Sequence, residues 1–396
     1  MTKVALVHDW LTGMRGGEKC LQAFLKIYPQ ADIFTLLHVP GVTTQEIDRA
    51  VKSSSFIRHI PAAKKVYRHL LPLYPAAANS LDLSGYDFVI SLSHAAAKNV
   101  KVQRSAKHIS YCFTPMRYIW DQVHTYFGKL TPLLWPLIKS LRHWDIKSTQ
   151  SVDHMVAISN FVAARIRCYY GRRSTVIYPP VDTSWITPIT NYHKGEAFLY
   201  AGALVPYKRV ELLLRAFNEL GLELWIAGSG PDEARLRKLA KSNIKFFTNV
   251  EDAHLAQLYA NCRALLFPAV EDFGMIPVEC LAAGRPVIGL FAGALKESIN
   301  AIKPWNNYDL AEKDYSGVFI KPELSDALVG SIIESVRFFI RHEGEFNPEA
   351  CVKRAALYSP VRFYGSWSNF VMKNNLFLNK SENFGGNLDL SLQKYA

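Results

Sequence analysis

The chain lacks the features that would place it in a membrane or in an oxidising compartment. No run reaches the roughly 18 consecutive apolar residues that a membrane-spanning helix requires. The first residues, MTKVALVHDW, enter a strand pattern at once, so we expect no signal peptide. The six cysteines show no Cys-x-x-Cys spacing, and most lie in apolar contexts that are typical of reduced core residues. We therefore expect a cytoplasmic protein.

The chain also lacks a signature of nucleic-acid binding. It has no helix-turn-helix pattern, no zinc-ligand spacing and no aromatic RNA-binding motif, although its formal net charge is +12. The charge alone does not identify a nucleic-acid ligand. We therefore expect no nucleic-acid partner.

Positive charge instead clusters beside apolar residues in two stretches, Ile57–Pro75 and Gly128–Lys147. Both combine Lys or Arg with Leu and Tyr or Trp, which is the composition of segments that lie at a membrane interface. Alternatively, each is a surface helix that covers the core and keeps its cationic rim in water. The pattern favours an anionic membrane surface as a partner, so we expect peripheral association with the inner face of the cytoplasmic membrane.

The length and composition of the chain predict two globular domains. It has 396 residues, of which 49% are hydrophobic and 20% are charged. Short apolar runs alternate with helical patterns, which predicts an α/β fold with parallel sheets. The predicted strands are KVALVH, ADIFTLL, YDFVISL, HISYCF, HMVAIS and STVIY, then AFLYAG, LELWIAG, IKFFT, ALLFP, PVIGL and GVFI. The predicted divisions are an N-terminal domain (1–180), a C-terminal domain (181–358), a last helix (359–376) and a tail (377–396), with a linker at Tyr178–Glu196.

The most informative segment is EDFGMIPVECLAAGRPVI, which spans Glu271–Ile288. Pro277 is typical of a first helical turn, and Gly284 is typical of the left-handed position that follows a helix. The segment therefore predicts a strand, a glycine turn, a short helix and a second strand, an arrangement that presents backbone N–H groups to an anion or a sugar hydroxyl. Glu271 would precede the helix and Glu279 would lie just inside it. Taken alone, Glu279 also fits an ordinary first-turn charge that the helix dipole favours.

This segment resembles the acidic signature of glycosyltransferase family 4, whose members are retaining enzymes of the GT-B fold. The resemblance extends over most of the chain, through AFLYAGALVPYKRVELLLRAF, LELWIAGSGPDEARL and NVEDAHLAQLYANCRALLFPA. In the first half, HDWLTGMRGGEK, SLSHAAAKNV, TPMRYIWD and AISNFVAARIRCYYGRRSTVIYPPVDT resemble a bacterial branch of mannosyltransferases. The resemblance implies two doubly wound Rossmann-like domains that face each other across a cleft, and a last helix that returns to the first domain.

The resemblance assigns the second domain to a nucleotide-sugar donor. It implies that Glu271 contacts the donor sugar and that Glu279 holds the ribose hydroxyls, since ionised carboxylates accept strong hydrogen bonds. Lys208 matches the lysine that stabilises the departing diphosphate, although it also fits a solvated first-turn residue. Ala203 stands where the family commonly has an arginine, and Arg209 is the candidate replacement. The other donor-binding candidates are backbone groups and turns near the nucleotide, at Phe273, Gly274, Met275, Ile276, Gly228 and Val250.

The first domain contributes further candidates. Gly16 and Gly17 follow the first strand and precede a helix that we predict to begin near Glu18, so they are donor-binding candidates, although such a pair also forms ordinary turns. Phe113 stands where related enzymes place a histidine near the donor sugar. His94 is the candidate catalytic substitute, with a structural role as the alternative. Arg117 either binds an acceptor phosphate or anchors its loop.

The resemblance thus implies a retaining transferase that moves a hexose, expected to be mannose from GDP-mannose, to a lipid-linked glycan in cell-surface polysaccharide synthesis. No two aspartates are two residues apart, so we expect no metal and no cofactor besides the nucleotide-sugar substrate. One alternative is an enzyme on the same fold that uses a UDP-sugar or epimerises a nucleotide sugar. Another is a non-catalytic protein that binds sugar nucleotides. The sequence does not indicate an oligomeric state.

Overall fold

A computed structural model describes residues 2–190, 195–306 and 314–376. Their contacts group the chain into two compact units. The first unit ends at Pro180 and takes up the chain again from Pro360, and the second unit runs over Val181–Ser359. Among the described residues, no helix is both long enough and apolar enough to cross a bilayer. The predicted tail at 377–396 lies outside the described residues.

The first unit contains a seven-stranded sheet whose described strand pairs are all parallel. Its strands are β1 Val4–Leu11, β2 Asp32–His38, β3 Val51–Ser54, β4 Phe88–Ser93, β5 Lys107–Cys112, β6 His154–Ala157 and β7 Thr175–Val176. The strand order is β3-β2-β1-β4-β5-β6-β7. All six strands predicted for this half are confirmed. The sequence does not predict β3, because VKSS is mostly polar and lies at a sheet edge where burial is incomplete.

Helices of the first unit connect these strands. They are α1 Gly16–Ile27, α2 Gln45–Ala50, α3 Ala63–Val66, α4 Tyr74–Asn79, α5 Val123–Phe127, α6 Thr131–Thr149 and α7 Asn160–Tyr170. Short 3₁₀ turns occupy Phe56–His59, Tyr67–His69, Leu71–Leu73, Ala97–Asn99 and Gly128–Leu130. The central strand β1 is buried along nearly its whole length, as expected for a parallel strand whose two faces are both covered.

The second unit repeats this architecture with another parallel seven-stranded sheet. Its strands are β8 Ala197–Ala201, β9 Leu224–Ala227, β10 Ile244–Phe247, β11 Cys262–Phe267, β12 Val287–Leu290, β13 Ala301–Ile302 and β14 Gly317–Ile320. The strand order is β10-β9-β8-β11-β12-β14-β13. The six strands predicted here are confirmed, and only the two-residue edge strand β13 is too short for a sequence pattern to indicate.

The helices of the second unit are α8 Val210–Leu220, α9 Glu233–Leu239, α10 Asp252–Asn261, α11 Met275–Ala282, α12 Leu295–Ser298, α13 Ser325–His342 and α14 Pro348–Ala356. Two 3₁₀ turns lie at Pro206–Lys208 and Glu343–Glu345. The helix predicted in the acidic segment is confirmed as α11. Gly284 follows it with φ +81°, the left-handed conformation that the sequence predicts.

The last described helix, α15 Pro360–Lys373, belongs to the first unit. Its Trp367 is fully buried, and the indole Nε1 donates a hydrogen bond of 2.9 Å to the hydroxyl of Tyr28. The Trp367 ring also packs edge-on against Phe24 of α1, with 4.6 Å between ring centroids. Aromatic packing and one buried hydrogen bond thus attach this helix to the first unit.

A buried ion pair links the loop after β4 to helix α6. The Lys98 Nζ lies 2.8 Å from the Asp145 Oδ1, and both side chains are fully buried. Asp145 also accepts hydrogen bonds from the Trp120 indole at 2.9 Å, the Tyr170 hydroxyl at 2.8 Å and the Asn99 amide at 3.1 Å. Burying a carboxylate costs free energy of desolvation, and one cation alone seldom offsets that cost. Here the three hydrogen-bond donors offset it together with Lys98.

We expect Lys98→Met to lower the free energy of unfolding by about 3 kcal/mol, because it leaves the buried Asp145 carboxylate without its cation. Urea denaturation followed by tryptophan fluorescence measures this loss. Lys353→Met is the matched control: its ion pair with Glu349 is mostly exposed, so the loss should stay below about 1 kcal/mol. Equal losses in the two variants would contradict a structural role for the buried pair.

Candidate functional site

In both sheets, polar loops lie at the point where the strand order reverses. The reversal falls between β1 and β4 in the first sheet and between β8 and β11 in the second. In an open parallel sheet, such a reversal leaves a crevice at the carboxyl ends of the strands, and ligands usually bind there. Each unit has candidates of its own at this point: Gly16, Gly17 and His94 in the first unit, and Lys208 and Glu271 in the second. Arg117, Gly228 and Val250 instead follow the strands β5, β9 and β10.

The structure brings Lys208 and Glu271 together in the second unit. Lys208 ends the 3₁₀ turn after β8, and Glu271 lies in the loop after β11. The Lys208 Nζ lies 2.6 Å from the Glu271 Oε1, and the two side chains are only 13% and 15% exposed. The same Nζ lies 5.7 Å from the centroid of the Phe267 ring. A side chain so enclosed is not the solvated first-turn lysine considered as the alternative.

Helix α11 begins beside this ion pair. Gly274 precedes the helix with φ +83°, a conformation that glycine adopts without strain. The N–H groups of Met275 and Ile276 belong to the first turn, where no carbonyl of the same helix is available to them. A Cβ on Gly202, just after β8, would lie 3.3 Å from the Ile276 Cδ1. The turn that carries Lys208 and the first turn of α11 therefore adjoin.

Phe273 is buried and does not line an open surface with its side chain. Its ring packs edge-on against Tyr358, with 5.3 Å between centroids. This packing fixes the backbone between Glu271 and Gly274. The role predicted for Phe273 was a backbone contact, and it stays a prediction.

Glu279 is not the exposed first-turn charge of the alternative interpretation. It is the fifth residue of α11 and is 6% exposed. Its Oε2 accepts a hydrogen bond of 3.0 Å from the Tyr259 hydroxyl. Burial, reinforced by the Glu279 charge, raises the pKa of Tyr259 well above its usual value, so the phenol stays protonated and donates. Tyr259 is not among the residues that the sequence pattern indicated.

Gly228 is a position where no side chain fits. It follows β9 with φ +151°, and a Cβ there would lie 1.9 Å from the carbonyl oxygen of Gly202. Its N–H donates to the Phe247 carbonyl at 2.9 Å. The turn after β9 is thus held closely against the turn after β8. Val250 follows β10 at the same edge of the sheet, and its contact with a base stays a prediction.

Arg209 does not join Lys208 at Glu271. It adopts φ +57° before α8 and lines a separate cavity of about 340 Å³ together with Glu211 and Arg235. Within the described parts of the chain, Arg209 forms no ion pair. At Ala203, the carbonyl accepts a hydrogen bond of 3.0 Å from the Tyr200 hydroxyl. Lys208 is therefore the cation that the structure brings to Glu271.

In the first unit, a buried carboxylate organises the loop after β4. Asp9 lies near the end of β1 and is fully buried. Its two oxygens accept four backbone hydrogen bonds of 2.6 to 2.9 Å, from the N–H groups of His94, Ala95, Ala96 and Ala97. Although burial acts to raise it, the His94 ring and these N–H groups hold the pKa of Asp9 below its usual value.

Asp9 also orients the candidate catalytic histidine. The His94 Nδ1 lies 3.1 Å from the Asp9 Oδ2, and the His94 side chain is 27% exposed. The ring packs edge-on against Trp10, with 4.5 Å between centroids. Burial lowers the pKa of His94, and this effect outweighs the Asp9 charge, which acts to raise the pKa. The net result favours the neutral ring. An imidazole held at Nδ1 by a carboxylate directs Nε2 away from it, and the catalytic role of His94 stays a prediction.

Gly16 and Gly17 open helix α1, which begins two residues earlier than the predicted start near Glu18. The Glu18 carboxylate accepts from the N–H of Arg15 at 3.0 Å, and this bond fixes the first turn. A Cβ on Gly17 would lie 3.2 Å from the His8 Nε2 and 3.5 Å from the Phe113 ring, so glycine leaves room between α1 and the strand ends.

His8 is a further residue that the sequence analysis missed. It is fully buried at the end of β1, and neither ring nitrogen has a hydrogen-bond partner among the described residues. Its ring lies 6.0 Å from that of His94 and 6.3 Å from that of Phe113. In the sequence, His8 and Asp9 could have been noticed as a polar pair that follows the apolar residues of the first strand.

Arg117 is near enough to His94 to act on its charge, and its acceptor role stays a prediction.

Two sequence families match the chain in succession. The model of a family described as "Glycosyltransferase Family 4" matches residues 16–185, and that of "Glycosyl transferases group 1" matches residues 182–337. The uncharacterized glycosyltransferase MJ1178 of Methanocaldococcus jannaschii is 25% identical over 65% of this chain and 71% of its own length. O-antigen chain mannosyltransferase C of Escherichia coli is 33% identical over 46% of this chain and 51% of its own length. The chain thus spans about half the length of the E. coli protein.

Solved structures share the architecture. Anabaena Alr3699/HepE in complex with UDP superposes with a TM-score of 0.66 at 15% identity, over 94% of this chain and all of that one. Sucrose-phosphate synthase from Thermosynechococcus elongatus gives a TM-score of 0.68 at 15% identity, over 94% and 99% of the two chains. These similarities confirm the predicted GT-B fold with its two doubly wound α/β units.

We expect Asp9→Asn to lower the free energy of unfolding by about 3 kcal/mol at neutral pH, because an amide nitrogen cannot accept the N–H groups that the carboxylate accepts. The folded pKa of Asp9 lies below its unfolded value, which is about 3.9. The stabilisation is therefore complete above that value and disappears as the pH falls through the folded pKa. Thermal unfolding of both proteins from pH 7 to pH 3 measures this, and the difference between them should shrink only at the acidic end.

Asp87→Asn is the matched control, because the exposed Asp87 accepts one backbone N–H, from Lys3 at 2.9 Å. It should change the midpoint little at any pH. A difference between wild type and Asp9→Asn that stays constant down to pH 3 would show that the Asp9 charge does not stabilise the loop.

Proposed function

Because this chain belongs to glycosyltransferase family 4, we propose that it is a retaining hexosyltransferase that moves mannose from GDP-mannose to a lipid-linked glycan in cell-surface polysaccharide synthesis. In this proposal the second unit binds the nucleotide sugar and the first unit binds the acceptor. The enzyme acts at the inner face of the cytoplasmic membrane, as a peripheral protein.

The observation that carries the proposal is the enclosed Lys208–Glu271 pair at the reversal point of the second sheet. A nucleotide-sugar transferase must stabilise the negative charge that develops on the departing diphosphate. Lys208 supplies a cation for that charge, and the N–H groups at the start of α11 add positive partial charge beside it. Glu271 is an acceptor for sugar hydroxyls at the same place, and the buried Glu279 is an acceptor for those of the ribose.

In the mechanism that the family resemblance implies, the bond between the anomeric carbon and the leaving phosphate oxygen breaks. A bond from the acceptor oxygen to the same face of that carbon forms. The proton of the acceptor hydroxyl passes to the leaving phosphate oxygen, so configuration is retained without a covalent enzyme intermediate. In this proposal His94 keeps its candidate catalytic role in place of the histidine absent at Phe113. Gly16 and Gly17 remain candidates for donor contacts, and Arg117 remains the candidate for the acceptor contact. The proposal includes no metal, so activity should survive EDTA.

The donor is assigned from the relatives. Both the E. coli protein and MMP alpha-(1->4)-mannosyltransferase of Mycolicibacterium hassiacum, which is 31% identical over 30% of this chain, are named for mannose transfer. The HepE structure is instead a complex with UDP, so a UDP-sugar is the competing donor. The apolar Ala203 and Phe113 favour a non-catalytic binding protein, whereas the Lys208–Glu271 pair favours an enzyme.

The membrane assignment rests on where positive and apolar groups lie. Residues 1–180 carry 23 Lys and Arg against 10 Asp and Glu, a net charge of +13, whereas the remainder carries 23 against 24, a net charge of −1. The positive charge of the chain therefore belongs to residues 1–180, which form most of the first unit. At one part of its surface, large apolar side chains are exposed in α5, α6 and the turn between them. We call this the α5–α6 surface, and its exposed members are Tyr126 (41%), Leu130 (59%), Leu133 (77%) and Trp135 (37%).

Cations accompany this apolar surface. The Arg142 guanidinium lies 5.0 Å, and the Lys139 ammonium 6.0 Å, from the Trp135 ring. Lys64 and Lys65 of α3 are exposed as well, in the other basic stretch. Apolar side chains that enter the bilayer boundary beside cations that meet anionic headgroups are the combination that binds an anionic membrane.

We expect GDP and GDP-mannose to raise the melting temperature of the protein more than UDP, ADP or their sugars do. Ligand at a hundred times its Kd adds about 2.7 kcal/mol of stability. Glu271→Gln should then reduce turnover roughly 10²-fold, the scale of one strong transition-state contact, while Glu279→Gln mainly weakens nucleotide binding. Lys208→Ala should lower turnover and affinity for the nucleoside diphosphate, and Arg209→Ala should do so less.

Product analysis by mass spectrometry and NMR distinguishes transfer from epimerisation, and EDTA-treated enzyme tests the metal-free mechanism. Near wild-type turnover in Glu271→Gln would contradict the site assignment. Activity that EDTA abolishes and manganese restores would contradict the absence of a metal.

We expect the protein to bind vesicles of phosphatidylglycerol and phosphatidylcholine, and to bind pure phosphatidylcholine more weakly. Added salt should reduce the electrostatic part, since each basic residue near an anionic leaflet contributes about 1 kcal/mol. Replacing Lys64 and Lys65 with Glu, or Leu130 and Leu133 with Ser, should release the protein in co-sedimentation assays. Replacing the exposed Lys101 and Arg104 with Glu is the control for net charge. No co-sedimentation by a folded, nucleotide-binding sample would exclude the membrane role.

A further inference from the structure

The loop after β1 meets the basic stretch Ile57–Pro75 at a cluster of two arginines and a tyrosine. Tyr67 opens the 3₁₀ turn Tyr67–His69, and Thr12 and Arg15, in the loop between β1 and α1, lie near enough to its hydroxyl to lower its pKa. The Arg68 guanidinium lies 5.4 Å from the centroid of the Tyr67 ring. The ring is buried and packs on Trp10 of β1, with 4.8 Å between centroids.

The positive charge of this cluster is not neutralised by carboxylates. Among the residues that the structure describes, neither Arg15 nor Arg68 forms an ion pair. Both are exposed, whereas Tyr67 is 6% exposed. Although burial acts to raise it, the contacts with Thr12, Arg68 and Arg15 bring the pKa of Tyr67 below its usual value. Two cations converge on one hydroxyl whose own position is fixed by packing.

We propose that Arg15, Arg68 and the Tyr67 hydroxyl bind a phosphate or diphosphate group, and that this group belongs to the lipid-linked acceptor. Guanidinium groups match phosphate oxygens with paired hydrogen bonds, and a fixed hydroxyl adds a third donor. The first turn of the twelve-residue helix α1 starts at the residue after Arg15 and adds positive partial charge. The anion site rests on this geometry, whereas its assignment to a lipid-linked acceptor rests on the proposed function.

The cluster is connected to the α5–α6 surface. Burial acts to lower the pKa of Arg68, but Tyr67 and then Tyr118 and Tyr126 lie near enough to raise it above its usual value. The Tyr118 and Tyr126 rings pack on each other, with 4.5 Å between centroids. Tyr126 is one of the exposed members of the α5–α6 surface. A diphosphate bound at the arginines therefore lies beside the apolar surface that would meet the lipid part of the same molecule.

Binding of inorganic pyrophosphate to the full chain, measured by isothermal titration calorimetry, tests the anion site. Every protein carries Lys208→Ala, so that the diphosphate site of the second unit contributes little. We expect Arg15→Ala and Arg68→Ala each to weaken binding at least tenfold, since one hydrogen bond to a charged group is worth about 1.5–3 kcal/mol. Tyr67→Phe keeps the ring packing and should weaken binding less. Arg58→Ala is the control, because it removes an exposed guanidinium from the same stretch.

Two further measurements identify the source of the phosphate. Geranyl diphosphate should bind more tightly than pyrophosphate, and the two arginine variants should lose as much affinity for it. Binding of phosphatidylglycerol vesicles should change no more in these variants than in Arg58→Ala. The same should hold for binding of a nucleoside diphosphate, measured in proteins that keep Lys208. A loss confined to vesicle binding would assign the arginines to bilayer headgroups, and a loss of nucleotide affinity would assign them to the donor. Either result, or unchanged pyrophosphate affinity in folded variants, overturns the proposal. None of these readouts depends on transferase activity, so failure of the proposed function would appear separately.

Discussion

Parallel pairing of the strands is the constraint on which the candidate sites depend. Because every described pair in both sheets is parallel, the carboxyl ends of the strands lie along one edge of each sheet. Residues far apart in sequence, such as Asp9 and His94 or Lys208 and Glu271, are brought together only at that edge. Where the strand order reverses, the connecting helices leave to opposite faces of the sheet and open a crevice, and ligands usually bind there.

The two units use this geometry in different ways. In the second unit, Lys208 and Glu271 form an enclosed ion pair. The ammonium can bind a phosphate group of a sugar nucleotide, and the carboxylate can accept hydrogen bonds from its hydroxyls. In the first unit, the carboxylate near the reversal point belongs to Asp9 of β1, and it binds four backbone N–H groups and one imidazole. Asp9 therefore holds the loop after β4 and the His94 ring in place, whereas in the proposed function Glu271 exchanges its contact with Lys208 for a ligand.

Strands, helices and motifs could be predicted from the sequence more completely than the tertiary contacts between side chains. Apolar runs predicted twelve strands because parallel strands are buried on both faces, and they failed for the polar edge strand β3 and the two-residue β13. The helix in the acidic segment was predictable from its proline and glycine. The partners of Glu279 and His94 were not, because Tyr259 and Asp9 are distant in sequence and only the tertiary fold brings them close. Likewise, the sequence does not show that Arg68 of the first basic stretch lies near Tyr126, which comes just before the second stretch.

The distribution of charge joins these findings. In the second unit many exposed basic residues are paired with nearby acids, as Arg235 is with Glu211 and Lys245 with Glu223, and the acids and bases of residues 181–396 nearly balance. The surplus of cations belongs to residues 1–180, where Arg15 and Arg68 form no ion pair within the described chain. Self-repulsion makes such a surplus costly to the folded state unless an anion meets it. The proposed anionic acceptor and membrane surface would meet this surplus of cations, whereas the proposed donor nucleotide would depend on local groups such as Lys208 in a unit whose charges balance.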